Sequence, residues 1–345
     1  MDNNIQQLVR HNIQNLVSYS SAREEYPGRK GVFLDANENP YGIYNRYPDP
    51  HQSALKQQLA ELKKVKSNQI FIGNGSDEVI DLAFRIFCEP HKDKALTFFP
   101  TYGMYEVSAN INAVELIKQP LTTEFQIDIN NLHPFLSDEK LKLIFICSPN
   151  NPTGNLFHTE DIEYILNHFK GIVLIDEAYI DFCSQPSFIE KINTYPNLIV
   201  SQTLSKAWGL AGIRLGLAYM NEDILFYYNK VKSPYNISAI NQQVGLDIVR
   251  KPVEYNQKVS EILKEKEKLK QKLQQIKCIQ KIYPSDANFF LVAVDDANHL
   301  YNRLIEKHII IRNRNSLVNN CVRITIGTPQ ENKQLLKALR EISNG

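Results

Sequence analysis

The chain has 345 residues, 43% of them hydrophobic and 22% charged, and its 39 basic and 38 acidic side chains leave a formal net charge of +1. So even a balance gives no electrostatic footing for nucleic acid or an anionic membrane as partner. The five cysteines (88, 147, 183, 278 and 321) have no C-x-x-C spacing and the eight histidines no H-x-x-x-H spacing, so neither a disulfide framework nor a metal site is expected.

The N-terminus, MDNNIQQLVRHNIQ, is polar and lacks the apolar core of a secretory signal. No run approaches the roughly twenty apolar residues of a membrane span. A cytoplasmic enzyme or binding protein is expected. Residues 1–36 stand apart from the strand-rich region and should pack back on a second domain or on a partner subunit. From about 68 to 220, apolar runs at 70–72, 95–99, 143–147, 172–175, 198–200 and 215–219 read as buried strands. Helical patterns at 78–87, 102–110 and 159–169 lie between them. This alternation predicts an α/β fold with a mostly parallel sheet covered on both faces, whose ligands bind beyond the carboxyl ends of the strands.

After Pro252 the pattern changes. Residues 254–277 form one charged helix with an apolar stripe at Val259, Ile262, Leu263, Leu269, Leu273 and Ile276. Its lysines, interleaved with glutamates, read as a solvated face rather than an anion site. Strands at 289–294 and 322–326, a helix at 297–307 and another from 330 onward complete a smaller α+β domain. The expected division is a large domain over 41–245 and a small one from 1–40 and 246–345.

The strand ends carry the chemistry. After the first stands Ile72-Gly-Asn-Gly75-Ser76-Asp77-Glu78, a strand–turn–helix junction whose backbone N–H groups suit a phosphate. Glu78 replaces the third glycine of G-x-G-x-x-G, and two acids would crowd a pyrophosphate, which disfavours a nicotinamide or flavin site. After the second, Pro100-Thr-Tyr102 offers a ring that stacks on a flat ligand or simply packs half-buried. After the third, Cys147-Ser-Pro-Asn-Asn151-Pro-Thr-Gly154 is an ordered turn that would fix the Asn151 amide as a donor. The fourth, Val173-Leu-Ile-Asp176-Glu-Ala-Tyr179, ends in an acid. Alone, Asp176 reads first as a helix cap; it also suits a protonated pyridine nitrogen, with Tyr179 reaching a ring hydroxyl.

After the fifth comes Thr203-Leu-Ser205-Lys206-Ala-Trp-Gly-Leu-Ala-Gly-Ile-Arg214. Partial burial of Lys206 would lower its pKa and make the amine nucleophilic toward an aldehyde. Arg214 supplies a guanidinium fork for a phosphate, and Thr203 and Ser205 add hydroxyls. A surface Lys and Arg flanking a loop is the alternative, and this segment alone decides nothing. Taken together, the strand ends offer a phosphate cradle, a stacking ring, an amide, an acid and a lysine with its arginine. Those are the parts that hold a phosphorylated pyridine aldehyde.

Asn151-Pro-Thr-Gly154, Asp176-x-Ala-Tyr179 and Ser205-Lys-x(7)-Arg214 occur in the order and near the spacing of the fold-type I pyridoxal-5′-phosphate (PLP) aminotransferases, which the sequence resembles over nearly its whole length. The resemblance implies Lys206 as the Schiff-base lysine and the base that moves the Cα proton. It implies Asp176 facing the pyridine nitrogen, Asn151 and Tyr179 at the ring oxygen, and Tyr102 stacked on the ring. Gly75, Ser76, Asp77, Thr203, Ser205 and Arg214 would surround the phosphate.

Leu34-Asp-Ala-Asn37-Glu-Asn-Pro40, Asn45-Arg-Tyr47-Pro48, Pro100-Thr-Tyr-Gly-Met-Tyr105, the 205–214 run and Val322-Arg323-Ile-Thr-Ile-Gly-Thr328 are similar to the histidinol-phosphate aminotransferase family within that fold. This narrower resemblance implies a homodimer in which Tyr47 reaches the cofactor phosphate of the neighbouring subunit. It also implies Arg323 gripping the glutamate α-carboxylate, with Tyr19, Asn37 and Arg312 at the substrate. The implied reaction converts histidinol phosphate and 2-oxoglutarate to imidazole-acetol phosphate and glutamate, in histidine biosynthesis.

Histidinol phosphate carries a phosphomethyl group where glutamate has a carboxylate, so one site must accept anions of two sizes. The arginines of this tail, Arg312, Arg314 and Arg323, suit this by bidentate pairing, with surface solvation as the competing reading for Arg314. Arg314 is read as solvated surface and left outside the site, and Trp208 as packing. The rival readings are another enzyme on the same scaffold, such as an aromatic amino-acid aminotransferase or a phosphothreonine decarboxylase, and a non-catalytic PLP-binding regulator. The regulator would need a DNA-binding module, for which about thirty polar N-terminal residues leave no room.

Overall fold

The computed structural model describes residues 5–20 and 31–344. Seven strands build the large sheet: β1 (Ile70–Asn74), β2 (Lys94–Phe99), β3 (Glu115–Pro120), β4 (Leu141–Cys147), β5 (Ile172–Asp176), β6 (Leu198–Thr203) and β7 (Leu215–Met220). They lie in the order β1-β7-β6-β5-β4-β2-β3. β3, β2, β4, β5 and β6 are mutually parallel, and β7 runs antiparallel to both its neighbours.

Strands that are apolar throughout become buried on both faces, because the pleat sends alternate side chains to opposite sides. Ile144, Ile146, Val173, Ile175, Leu198 and Val200 enter one core layer, under helices Ser53–Lys63, Thr159–His168 and Ala239–Val249. Leu143, Phe145, Ile172, Leu174 and Ile199 enter the other, under Ser76–Phe87, Met104–Ile111 and Glu222–Val231. Each fully buried aliphatic side chain contributes about 1.5–3 kcal/mol relative to exposure.

Ile5, Val9 and Ile13 join the second layer. The Arg10 amide donates to the Ile86 carbonyl at 2.9 Å, and its guanidinium meets Glu89 at 3.3 Å. The first described residues therefore pack on the large sheet's helices, whereas the sequence reading groups residues 1–40 with the second domain. An apolar spacing of four across two short helical turns is too brief a signal to read in a polar segment.

The second sheet is antiparallel: β8 (Ile279–Ile282), β9 (Phe289–Val294), β10 (Arg312–Asn313) and β11 (Cys321–Thr325), in the order β10-β11-β9-β8. Phe290, Val292, Val322 and Ile324 face a core shared with Leu269, Leu273, Leu300, Leu304, Leu336 and Leu339 from its helices. The pleat then turns Phe289 and Arg323 to the opposite face, where Phe289 packs with Tyr179 of the large domain. The helix Pro252–Leu273 joins the two units, with Val259 beside Phe289 and Leu273 in the small core.

Among the described residues, no helix is long and apolar enough to cross a membrane, and no cluster of His, Cys, Asp or Glu is placed to hold a metal ion. The five cysteines are unpaired.

Candidate active site

A cleft of about 530 Å³ opens at the carboxyl ends of β2, β4, β5 and β6 and is closed on its far side by the second sheet. Lys206, Asp176, Tyr179, Asn151, Tyr102, Ser76, Asp77, Thr203, Ser205, Arg214, Arg312 and Arg323 all line it. Strand ends collect there because the helices that connect parallel strands leave this edge open.

Lys206 leaves β6 through a tight turn. The Ser205 amide donates to Thr203 Oγ1 at 3.1 Å, and the Gly209 amide donates to the Lys206 carbonyl at 3.1 Å. The lysine side chain opens to the cleft, its Nζ 5.9 Å from the centre of the Tyr179 ring. Desolvation by the cleft walls and the nearby Arg323 lower its pKa, with Asp176 opposing. The amine is thus freer at neutral pH than a solvated lysine.

Asp176 is only 3% exposed. Tyr105 Oη donates to Oδ2 at 2.9 Å and the Ala178 amide to Oδ1 at 3.1 Å. Burial pushes its carboxyl up to about 6 against those two bonds. No α-helix starts here, so the capping alternative gives way to an acid aimed into the cleft. Tyr105 is a site residue that sequence reading missed. It lies buried in the first turn of Met104–Ile111, stacked on Phe145 at 5.0 Å. A buried tyrosine needs a partner for its hydroxyl, but nothing in the sequence says which.

The β1–helix junction forms a cradle. Gly75 has φ +77° and its amide donates to the Arg214 carbonyl at 2.9 Å. A Cβ on Gly75 would stand 2.6 Å from Arg214 Nη2, so a side chain there would displace the guanidinium. Arg214 Nη2 donates to Asp77 Oδ2 at 3.2 Å, and Tyr102 Oη donates to Asp77 Oδ1 at 3.0 Å. Glu78 turns away, its carboxylate accepting from the Asn74 amide and, at 3.2 Å, from Asn236 Nδ2.

Asn151 is positioned by its neighbour. Asn150 Nδ2 donates to the Pro100 carbonyl and to Thr153 Oγ1, each at 2.8 Å, tying the β2 and β4 loops together. Arg323 reaches across from β11, donating from Nη1 to Asn151 Oδ1 at 2.6 Å with its guanidinium 5.1 Å above the Phe289 ring. Arg314, left on the surface by the sequence reading, also lines the cleft. Burial and the neighbouring Arg323 and Arg312 push it down to about 10. The register that brings it inward belongs to β10, which is too short to read from sequence.

Tyr47, Asn37 and Tyr19 are not brought to this cleft. Tyr47 stacks on Tyr235 with ring centres 4.4 Å apart and shares a surface groove with Asn37, Ser238 and Ile240. Tyr19 lines a separate depression with Val17, His51 and Lys230. Trp208 packs as expected, face to face with Tyr255 at 3.7 Å.

Residues 27–339 match the family model described as aminotransferase class I and II. A histidinol-phosphate aminotransferase of Bacteroides thetaiotaomicron is 50% identical over 98% of this chain and 98% of its own. The crystal structure of the histidinol-phosphate aminotransferase from Clostridium acetobutylicum superposes with a TM-score of 0.80 at 26% identity, covering 90% of this chain and 98% of that one. That of Sinorhizobium meliloti, in complex with PLP, gives 0.79 at 22% identity, covering 87% and 83%.

Proposed function

Because the chain belongs to the class I and II aminotransferase family, we propose that it exchanges the amino group of histidinol phosphate for the keto oxygen of 2-oxoglutarate, with PLP as cofactor, in the cytoplasmic synthesis of histidine. The products are imidazole-acetol phosphate and glutamate. Relatives near 50% identity over almost the whole chain support the substrate. The observation that carries the reading is Lys206 opening into the same cleft as the buried, hydrogen-bonded Asp176.

The residues fit PLP. Gly75, Ser76, Asp77, Thr203, Ser205 and Arg214 form the phosphate end, where a Cβ at Gly75 would collide with the guanidinium. Tyr102 would lie against the ring, and Asn151 and Tyr179 would hold its oxygen. Bound PLP supplies an electron sink for the pair left behind when the substrate Cα proton departs. Asp176 would hold positive charge on the pyridine nitrogen, and Tyr105 and the Ala178 amide hold Asp176. Lys206 would hold the aldehyde end of the cofactor and, once the substrate amine takes that place, would carry the Cα proton. Arg323 and Arg312 take the substrate anions.

The active unit in this reading is a homodimer. Tyr47, Asn37 and Tyr19 lie away from their own chain's cleft, and on the segment that carries Asn37 and Tyr47 the side chains of Val32, Leu34, Tyr41 and Ile43 are each more than 80% exposed. An apolar surface of that kind is what a second copy covers.

Absorption of the PLP-loaded protein tests the reading. Histidinol phosphate added without keto acid should convert the lysine-bound band to that of the amine form, and 2-oxoglutarate should restore it. An unchanged band would discard the substrate and leave the family.

A further inference from the structure

The second sheet turns three arginines toward the cleft. Arg312 pairs directly with Arg323 across β10 and β11, and the Arg314 amide donates to the Cys321 carbonyl at 2.9 Å, continuing that register by one step. Residues two apart share a face of a strand, and cross-strand partners share it too. Arg312, Arg314 and Arg323 are therefore on one face, and all three line the cleft.

Like charges directly opposite one another destabilise a sheet. Among the described residues none of the three has a carboxylate partner. The acids of the cleft are engaged elsewhere: Asp77 with Arg214, Asp176 with Tyr105, and Glu106 with Lys118 at 2.6 Å. The Nε atoms of Arg314 and Arg323 are buried without any hydrogen-bond partner. Buried donors of a cation left unmatched are costly unless a ligand completes them.

We propose that Arg314 sets the preference for a phosphate monoester over a carboxylate at this end of the cleft. The inference rests on the substrate reading above. A carboxylate presents two coplanar oxygens and one charge, which the Arg323 fork and its Asn151 neighbour accommodate. A phosphate monoester presents three oxygens and nearly two charges, its second ionisation falling near pH ~6. The third guanidinium matches that additional oxygen and charge.

Steady-state transamination by the PLP-loaded enzyme, read between about pH 5.5 and 8 around that ionisation, tests this. Arg314→Gln should raise KM for histidinol phosphate roughly ten- to hundredfold. It should also flatten the fall of that KM as the phosphate ionises. KM for 2-oxoglutarate should rise far less, and Arg314→Lys, which keeps the charge, should recover part of the loss. If Arg314→Gln does not fold, Arg314→Met keeps the aliphatic stem and is read in the same way. An unchanged KM for histidinol phosphate, or equal rises for both substrates, overturns the proposal. A wild-type enzyme that ignores histidinol phosphate but accepts an unphosphorylated amine would sink the substrate reading itself. Normal wild-type turnover with an indifferent Arg314→Gln sinks this inference alone.

Discussion

Lys206 and Asp176 are set apart by their surroundings rather than by their type. Lys206 has its pKa lowered by desolvation and by Arg323, so more of its amine is unprotonated at a given pH than for a solvated lysine. Lys206→Ala should cut turnover by roughly a thousandfold or more, since both the bond to the aldehyde and the proton transfer are lost. Appreciable multiple turnover by a preparation free of wild-type enzyme would sink the mechanism. Asp176 makes a different prediction. Its carboxyl, at about 6, lies above the ordinary 3.8. The folded chain thus keeps this proton where the unfolded chain has lost it. The stability owed to Asp176 falls as pH rises from about 4 to about 6 and stays low above that. Without cofactor, Asp176→Asn should be more stable than wild type by about 2–3 kcal/mol near pH 7.5. The gap should close near pH ~4. Thermal melts at the two pH values check it, and a pH-independent difference would refute the assignment. The same variant should bind PLP more weakly.

At the scale of elements, the phosphate cradle depends on a close approach between backbones. Gly216 on β7 passes the turn at Gly75 and Ser76 so closely that a Cβ on it would overlap their main-chain atoms. Gly216→Ala should therefore cost about 1–3 kcal/mol or more in urea denaturation. It should also weaken PLP binding by displacing the Ser76 amide, whereas a core swap far from the cradle would change stability alone. The same scale shows how much of the fold is legible in the sequence. Strands buried on both faces, such as β4 and β5, announce themselves as apolar runs. β3 does not: it is a half-exposed edge strand of sequence ELIKQP. β10, two residues long, leaves no periodicity either. The site residues divide along the same line. Asp176, Asn151 and Lys206 stand at the ends of readable strands and line the cleft together. Arg314 stands beyond the end of β10, and its orientation comes from pairing with a strand several residues away. Tyr105 sits in a helix whose first turn gives no hint of Asp176, 71 positions on.

For the whole molecule, the exposed strap around Val32, Leu34, Tyr41 and Ile43 predicts association. Light scattering should return twice the mass of one chain, and a monomer in the concentration range of the activity assay would contradict the shared-site reading. Tyr47, held against Tyr235 and outside its own chain's cleft, carries this into genetics. A chain lacking Lys206 and a chain lacking Tyr47 are defective in different places. In the proposed shared-site dimer, both lesions of a mixed pair would fall on one site, which would leave the other site whole. Two such alleles, each impaired alone, should complement one another when co-expressed, restoring about a quarter of wild-type sites under random pairing of the chains.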